Sequence, residues 1–495
     1  MENYMELILK GHTHQYEVEN LCRVFRPDCR LPLRQEPPAE GDYVLTEAKE
    51  EGNIIRLFAR VRIGDREAEQ ADKMETASPD FEKESEYRIC VCLFRAFIAL
   101  TGYRPKWGIL TGVRPTKLMR RLLLELGSEE RALDYFTGRL FVEPEKASLC
   151  LATAKSEGEI LAQSASDSFS LYISIPFCPS RCSYCSFVSH SIEKAKKLLE
   201  PYVELLCREI EDTAAYAREL GLRLQSVYVG GGTPTTLSAE QLGRVMGKVA
   251  EQFDFSSLLE YTVEAGRPDT ITPDKLRAIR EGGADRVSIN PQTMNDEVLE
   301  RIGRRHTSEQ TLAAYRLARE AGFEAVNMDL IAGLPGDTFE SFRETLRQVC
   351  ELSPENITVH TLALKRSADL YREEYYARSG EVARMLEETH RSLPRSGYRP
   401  YYMYRQSKTA GNLENVGFCR KGYEGAYNVF IMEEAHTILA CGAGAVTKLR
   451  EPGGPMIERV FNYKYPYEYI SRFNDILNKK KRVRSFYEEY SPEHR

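Results

Sequence analysis

The sequence predicts an α/β fold in which a partial barrel of six strand-helix units follows an additional N-terminal α+β domain. From about residue 171, six short apolar, β-branched segments alternate with amphipathic helical patterns, and this alternation is typical of parallel strands buried on both faces. The residues before 165 lack the alternation. A chain of 495 residues is also too long for one ordinary core, so we expect two or three domains.

The N-terminal region begins with the short apolar runs MELILK, DYVLTEA and NIIRLFARVRIG, separated by turn-prone segments such as GHTH and EEGN. This pattern indicates a small α+β module. A charged stretch follows from Asp65 to Arg88, after which RICVCLFRAFIALTG predicts a buried helix and WGILTGVRPTKLMRRLLLELG a loop and a second helix. We expect residues 1–165 to form a domain of their own.

The barrel region is predicted to cover residues 166–450 together with a C-terminal extension, and residues 451–495 are predicted to form a helical tail. Six candidate strands lie at 171–176, 224–230, 259–265, 284–290, 324–333 and 356–364. Six units suit a partial barrel, in which chemistry is carried by the loops at the carboxyl ends of the strands. Polar and glycine-rich motifs follow the first five strands, so we expect them to converge on one rim.

Charge and composition exclude several classes of protein. Lys and Arg total 68 against 74 for Asp and Glu, a net charge of −6, which gives no basic field for nucleic acid. The basic run KKKRVR (479–484) is interpreted as a solvated helix end. The N-terminus MENYMELILKGH lacks the features of a secretory signal and no run of 18 apolar residues predicts a membrane span, so we expect a cytoplasmic protein.

Three cysteines follow the first barrel strand in the segment PFCPSRCSYCSF, namely Cys178, Cys182 and Cys185. A structural zinc ion bound with His190 is one interpretation, but zinc modules usually supply two spaced pairs of ligands, and a matching second pair is not nearby. An iron-sulfur cubane fits better, because each of its four irons takes one outer ligand. Three thiolates then leave one iron open to a substrate or cofactor.

The spacing C-x3-C-x2-C, with Tyr184 before the last cysteine, resembles that of the radical S-adenosylmethionine (SAM) enzymes. Together with GGGTPTTL, EAGRPDT, INPQTMND, RIGRRH and NMDLIAGLPGDT, the sequence resembles the oxygen-independent coproporphyrinogen III oxidase/dehydrogenase family. The long N-terminal region, CSFVSH and AGNLENVGFCRKGYEGAYNVFIMEEAHTILACGAGAVTK are similar to its HemZ type. This resemblance implies a 4Fe-4S cluster on the three cysteines and SAM on the open iron, where the reduced cluster cleaves it to a radical.

The resemblance also implies a set of SAM-contacting positions. Gly231, Gly232 and Thr233 correspond to the residues that hold the methionine end of SAM, although a tight strand-to-helix turn would explain the glycines equally. The remaining implied contacts are Tyr172, Tyr184, Glu264, Gln292, Arg304, Asp329, Ala363 and Val446. Glu264 alone would suit a solvated cap, and the choice of Arg304 over Arg305 depends on the resemblance. Asp329 lies on an apolar strand, where an unpaired carboxylate would be costly.

The family's reaction uses two SAM molecules and an electron donor such as flavodoxin or ferredoxin. Hydrogen abstraction from a substrate propionate, with loss of CO2 and one electron, gives a vinyl group, and two such steps convert coproporphyrinogen III to protoporphyrinogen IX in anaerobic heme biosynthesis. Such a tetrapyrrole carries four carboxylates, for which Arg399, Arg405 and Lys408 are candidate partners. A half-buried final strand is the alternative interpretation of these residues.

Two departures from the family pattern keep other functions open. Founding members carry a further cysteine where this chain has Phe187, a difference shared with relatives that bind heme as chaperones. Those chaperones carry an HNxxYW-like box, whereas this chain has AYNVF at 426–430, which favours the dehydrogenase. A tetrapyrrole-modifying radical enzyme such as an anaerobic heme-degrading methyltransferase is a third alternative. We hypothesise that residues 1–165 cover the substrate, since the usual C-terminal covering domain is not recognisable.

Overall fold

The computed structural model describes residues 4–27, 29–77, 80–185, 190–363, 378–406 and 409–490. The chain divides into two compact units, of which the first comprises Met1–Leu151 and Arg405–Leu413 and the second Ala152–Tyr404 and Glu414–Arg495. The predicted domain boundary at residue 165 stays a prediction. No helix of the described residues is long and apolar enough to cross a membrane.

The first unit is a five-stranded sheet with helices. Its strands are β1 (Glu6–Lys10), β2 (Leu33–Arg34), β3 (Tyr43–Glu51), β4 (Ile54–Ile63) and β5 (Arg66–Glu75). Its helices are α1 (Gln15–Phe25), α2 (Phe81–Thr101), α3 (Pro115–Leu126), α4 (Glu129–Asp134) and α5 (Pro144–Leu161), the last of which continues into the second unit. The sheet order is β2-β1-β3-β4-β5, with β1 parallel to both neighbours and β3, β4 and β5 antiparallel.

The core of the first unit lies between α2 and the sheet. Ile89, Leu93 and Phe97 of α2 are fully buried in one cluster with Leu57 and Val61 of β4. The predicted buried helix is therefore confirmed. The charged stretch before it forms the edge strand β5 and the first turns of α2, because alternating charged residues suit an edge strand with one solvated face.

The second unit contains the predicted (β/α)6 partial barrel. Its strands are β6 (Ser168–Ile175), β9 (Arg223–Gly231), β10 (Glu260–Glu264), β11 (Arg286–Ser288), β12 (Ala325–Ala332) and β13 (Asn356–Thr361), with the two-residue ribbon β7 (Phe177–Cys178) and β8 (His190–Ser191) after β6. The helices of this region are α6 (Ile192–Ala195), α7 (Leu199–Glu219), α8 (Ala239–Gln252), α9 (Pro273–Glu281), α10 (Asp296–Arg301), α11 (Ser308–Glu320), α12 (Phe339–Leu352) and α13 (Ser379–Arg395). The six barrel strands are neighbours in chain order and pair in parallel, so all six predicted strands are confirmed.

Local sequence explains where several barrel helices begin. Ser238 and Thr307 form capping boxes with the glutamine three residues later, and Thr272, Asn295 and Thr338 accept hydrogen bonds from backbone amides of the first turn. These caps satisfy amide groups that have no partner within the helix. They fix the point at which each loop at the carboxyl end of a strand turns into a helix.

The barrel sheet is extended at both edges, and of the added elements the sequence indicated only the helices of the tail and, as an alternative interpretation, the strand β14. These are β14 (Arg399–Arg405), β15 (Glu414–Cys419), β16 (Thr437–Cys441), β17 (Val446–Arg450) and β18 (Ile457–Phe461), with helices α14 (Ala426–Glu433), α15 (Pro466–Ser471) and α16 (Phe473–Glu489). β15 is antiparallel to β13, while β16 is parallel to β6 at the other edge and continues into β17 and β18. The predicted helical tail therefore contains a strand, β18.

The basic run KKKRVR was predicted to be a solvated helix end. It lies within α16, and part of it is buried. Lys480 is only 2% exposed, and its ammonium group lies 3.1 Å from Glu209, which is fully buried. Glu209 also accepts hydrogen bonds from the Gly442 amide at 2.7 Å and the Tyr469 hydroxyl at 2.6 Å. A buried ion pair of this kind needs such additional donors to offset the loss of hydration.

Candidate active site

The cysteine loop is held at the carboxyl end of β6 by backbone and side-chain contacts. Cys178 ends β7, and the Thr233 hydroxyl donates to its sulfur at 3.4 Å. The Cys185 amide donates to the Cys182 carbonyl at 3.2 Å, forming a tight turn, and the Ser183 amide donates to the carbonyl of Ile302 at 3.0 Å. The loop is thus fixed both to the end of β9 and to the segment after α10.

The donor set fits an iron-sulfur cluster better than a single zinc ion. Thiolates that bind one zinc tetrahedrally lie about 3.8 Å apart, given a Zn–S distance of about 2.3 Å. In the part of the chain that the structure describes, the sulfur atoms of Cys178, Cys182 and Cys185 do not all lie within 4.8 Å of one another. A cubane gives each thiolate its own iron and tolerates wider spacing. His190 packs its ring edge-on against Tyr465 at a centroid distance of 5.8 Å, and it is not in a metal-ligating group.

The glycines of GGGTP allow the end of β9 to contact the backbone at the end of β6 and in β7. A Cβ atom on Gly232 would lie 2.6 Å from the Phe177 carbonyl oxygen and 2.8 Å from that of Ile175. The Gly232 amide donates to Ile175 at 2.8 Å, and the Thr233 amide donates to Phe177 at 2.7 Å. Gly231 has a φ of +103°, which an L-side chain rarely adopts. The turn interpretation is therefore correct, and a contact with SAM stays a prediction.

Arg304 lies within the site, whereas Arg305 is on the surface. The guanidinium of Arg304 donates to the Asn290 carbonyl at 2.7 Å and the Gly266 carbonyl at 3.1 Å, and its Nε lies 3.3 Å from the Tyr184 hydroxyl. Arg305 forms an exposed ion pair with Glu193. The structure thus distinguishes two arginines that the sequence left equivalent, and it places the predicted contacts Arg304 and Tyr184 together.

Arg267 is a site residue that the sequence analysis did not single out, although EAGRPDT contains it. Its guanidinium lies 3.8 Å from the Cys182 sulfur, donates to the Ser180 hydroxyl at 3.1 Å, and pairs with Asp269 at 3.1 Å. The Arg267 side chain is 4% exposed. A buried cation at this distance would balance part of the negative charge of a sulfur that binds iron as a thiolate.

Glu264 ends β10 in a buried aromatic environment. The Tyr228 hydroxyl donates to its carboxylate. Burial raises the pKa of Glu264 to about 7, with the charge of Asp329 adding to this effect and the Tyr228 hydrogen bond opposing it. The Tyr228 ring stacks on that of Tyr427 at 4.6 Å and on that of Tyr172 at 6.3 Å. Glu264 is therefore a polar group on a tyrosine-lined wall and not a solvated cap.

Asp329 lies in a polar network, which offsets the cost of burying a carboxylate on an apolar strand. Asn327 donates to its carboxylate at 2.8 Å, and the His360 Nε2 lies 3.9 Å from it. The His360 Nδ1 lies 3.3 Å from the Tyr404 hydroxyl. Gln292, with a φ of +69°, donates its amide to the Asp329 carbonyl at 2.9 Å. His360 and Tyr404 were missed, although a histidine on the apolar strand NITVHTLAL was a detectable signal.

Comparison with known proteins identifies the family. The radical SAM superfamily model matches residues 172–349. The chain is 36% identical over 490 residues to the oxygen-independent coproporphyrinogen-III oxidase-like protein HemZ of Bacillus subtilis, covering 96% of this chain and 97% of that protein. This chain belongs to the HemZ-type, coproporphyrinogen III oxidase-like family of radical SAM proteins.

Other relatives of this HemZ-type chain carry two different functional names. It is 31% identical over 304 residues to the heme chaperone HemW of Haemophilus influenzae, covering 61% of this chain and 75% of that protein. It is 36% identical over 194 residues to the oxygen-independent coproporphyrinogen III oxidase of Escherichia coli, covering 41% of this chain and 42% of that protein. Radical SAM membership implies a 4Fe-4S cluster and SAM, and the three-thiolate donor set fits that requirement.

Val446 and Ala363 of this HemZ-type chain lie near the rim formed by the carboxyl ends of the barrel strands. Val446 begins β17 after a loop whose Ala443 carbonyl accepts the Ser174 hydroxyl at 2.8 Å. Since Ser174 is on β6, the loop is fixed beside the strand that precedes the cysteine loop. Ala363 lies just beyond the end of β13 at Thr361. The SAM contacts assigned to these two residues by resemblance stay predictions.

The arginines considered for substrate carboxylates are already paired. Arg399 donates to Glu424 at 2.6 Å and to Glu159 at 2.9 Å. Arg405 is 2% exposed and donates to the Leu110 carbonyl. The half-buried final strand is therefore the better interpretation of both, whereas Lys408, like Phe187, lies outside the described residues.

A cleft of about 720 Å³ opens beside the cysteine loop. It is lined by residues 179–181 of that loop and by residues 303–307, which include Arg304 and His306. Burial, together with the charges of Arg304 and Arg267, lowers the pKa of His306 to about 3. The imidazole is therefore neutral near pH 7, and the fixed positive charge on this side of the loop comes from the arginines.

Proposed function

We propose that the protein converts two propionates of coproporphyrinogen III to vinyl groups by oxidative decarboxylation, giving protoporphyrinogen IX. In this proposal Cys178, Cys182 and Cys185 hold a 4Fe-4S cluster. When bound, the cluster and one SAM for each propionate would supply the radical that abstracts hydrogen from the substrate. Each substrate radical then loses CO2 and passes one electron to an electron acceptor, which leaves the vinyl group. The protein is then a cytoplasmic radical SAM oxidoreductase that receives electrons from a donor such as flavodoxin or ferredoxin.

The observation that carries this proposal is the convergence of the cysteine loop, Arg304 and Glu264 on one rim. The Arg267 guanidinium lies beside the Cys182 sulfur, and the Cys178 sulfur accepts a hydrogen bond from the Thr233 hydroxyl. Arg304 is a buried cation held beside Tyr184 of the cysteine loop, and its positive charge would attract a carboxylate such as that of SAM. Glu264 can donate or accept a hydrogen bond near pH 7, because its pKa is about 7.

The segment AYNVF supports a dehydrogenase over a heme chaperone. It forms the start of α14, where Tyr427 is 4% exposed and Phe430 is fully buried. The Tyr427 amide donates to the Glu260 carboxylate at 2.9 Å, which fixes this turn inside the second unit. Heme binding at this place would need an accessible axial ligand such as a histidine, and this buried segment offers none.

Anaerobic turnover tests the proposal. The reconstituted protein with reductant, SAM and coproporphyrinogen III should form 5′-deoxyadenosine, CO2 and a divinyl product detectable as protoporphyrin after oxidation. Cys182→Ala should lose both iron and SAM cleavage, whereas the matched control Cys207→Ala should retain them. The heme chaperone is the second candidate, because of the HemW similarity over 61% of the chain. Stoichiometric heme binding without decarboxylation would favour that function and reject the enzyme.

A further inference from the structure

Three potential metal-ligating side chains converge in the first unit, away from the three cysteines in sequence. His14, Glu17 and Glu86 bring a ring nitrogen and two carboxylate oxygens within 4.8 Å of one another. His14 and Glu17 lie three residues apart at the start of α1 and so share a face of the helix, and Glu86 comes from α2, which packs against α1.

These three side chains make no hydrogen bond or ion pair with a described residue. His14 is 8% exposed, and its ring nitrogens make no hydrogen bond to a described residue. Neither Glu17 nor Glu86 has an ion-pair or hydrogen-bond partner there. Burial and the charge of Glu17 raise the pKa of Glu86, because two partly buried carboxylates at this distance repel each other when both are charged. A divalent ion would balance both charges and give the buried imidazole a partner.

The surrounding loop positions His14. Its backbone amide donates to His12 Nδ1 at 3.2 Å, so that this nitrogen carries no proton. The His12 Nε2 therefore donates to the Thr46 hydroxyl at 3.0 Å, and the two imidazole rings stack at 5.3 Å. A Cβ on Gly11 would lie 2.0 Å from the Ala48 carbonyl oxygen, so only glycine allows this loop to approach β3. The turn-prone segment GHTH thus holds His14 in place while His12 is committed elsewhere.

We propose that His14, Glu17 and Glu86 bind one divalent transition-metal ion of the zinc type. One imidazole and two carboxylates suit zinc and its neighbours better than magnesium or calcium, which prefer oxygen ligands alone. Three protein ligands leave a fourth position for water. The ion joins the N-terminal end of α1 to the second turn of α2, and it is independent of the cluster and of the proposed reaction.

The test uses the full chain with its cluster loaded, because Cys178, Cys182 and Cys185 are then not free to take up zinc together. After dialysis against a weak chelator and addition of Zn²⁺, mass spectrometry should find one zinc per chain in addition to the iron. Replacing zinc by Co²⁺ should give visible d–d absorption bands typical of a nitrogen- and oxygen-ligated ion. An equal excess of Mg²⁺ should not displace either metal.

The double variant Glu17→Gln/Glu86→Gln should bind zinc at least about tenfold more weakly, since even the loss of a supporting group around a metal commonly has that effect. The matched control Glu19→Gln/Glu82→Gln alters the same two helices and should bind as the parent does. Circular dichroism verifies that both variants fold. Absence of stoichiometric zinc in the folded parent, parental affinity in the Glu17→Gln/Glu86→Gln variant, or displacement by Mg²⁺ would each overturn the proposal.

Discussion

Substitution of Glu264 by glutamine should stabilise the protein at pH 8 much more than at pH 5. The folded-state pKa of Glu264 is about 7 against an ordinary 4.5, so the folded protein disfavours the charged carboxylate. Below pH 4.5 the group is neutral in both states and costs nothing. As pH rises through this window the unfolded chain loses the proton first, and folding becomes less favourable until the pH passes about 7.

The size of the effect follows from the shift. A difference of 2.5 pH units between 4.5 and about 7 corresponds to about 3 kcal/mol at pH 8. At pH 5 the same relation gives less than about 1 kcal/mol. Glutamine keeps the acceptor for the Tyr228 hydroxyl and carries no charge, so the variant should avoid this cost. At about 2 °C per kcal/mol for a unit of this size, its gain in Tm should grow by about 5 °C from pH 5 to pH 8.

Differential scanning fluorimetry of the parent and Glu264→Gln under anaerobic conditions measures this, because groups common to both cancel in the difference. Tyr228→Phe serves as a second variant. The Tyr228 hydroxyl lowers the pKa of Glu264. In Tyr228→Phe, which lacks this hydroxyl, the loss of stability with rising pH should therefore continue to a higher pH. A Tm difference between the parent and Glu264→Gln that is the same at pH 5 and pH 8 would refute the raised pKa.

Three further predictions concern separate parts of the second unit. Lys480→Met should lower the free energy of unfolding by about 3–5 kcal/mol in chemical denaturation, because it leaves the fully buried Glu209 without its cationic partner. Gly232→Ala should reduce the iron content of the reconstituted protein, because the new Cβ would lie 2.6 Å from the carbonyl oxygen of Phe177, the residue before Cys178. Arg304→Lys should weaken SAM binding in equilibrium dialysis, whereas Arg305→Lys should leave it unchanged.

The barrel could be predicted from the sequence because its strands are buried on both faces. Continuous apolar runs such as LYISIP and the following amphipathic helices carry a local signal that depends on no distant partner. The strands beyond β13 lack this regular alternation. β16 pairs with β6, which precedes it by more than 260 residues, so its place in the sheet depends on a contact that local pattern does not encode.

The placement of the candidate residues at strand ends was predictable from the sequence, but their contacts with one another were not. Motif order placed the cysteine loop, the glycines and Glu264 at strand ends, and the structure has them there. Local sequence could not show that Arg304 points into the site and Arg305 away from it, because adjacent residues differ only in tertiary surroundings. Arg267 was hidden for the same reason, since its contact with Cys182 joins segments that are 85 residues apart.

The C-terminal helices contribute to the rim of the barrel, although they are far in sequence from the cysteines. Glu209 of α7 joins Lys480 of α16 to the Gly442 amide at the end of β16. The next residue, Ala443, accepts the Ser174 hydroxyl of β6, so the same few contacts connect α16 to the strand that carries the cysteine loop. A buried charge held by donors from several elements is costly to leave incomplete. The segment after residue 450 is therefore required to fix the loop before Val446, and weakening it should affect cofactor binding as well as stability.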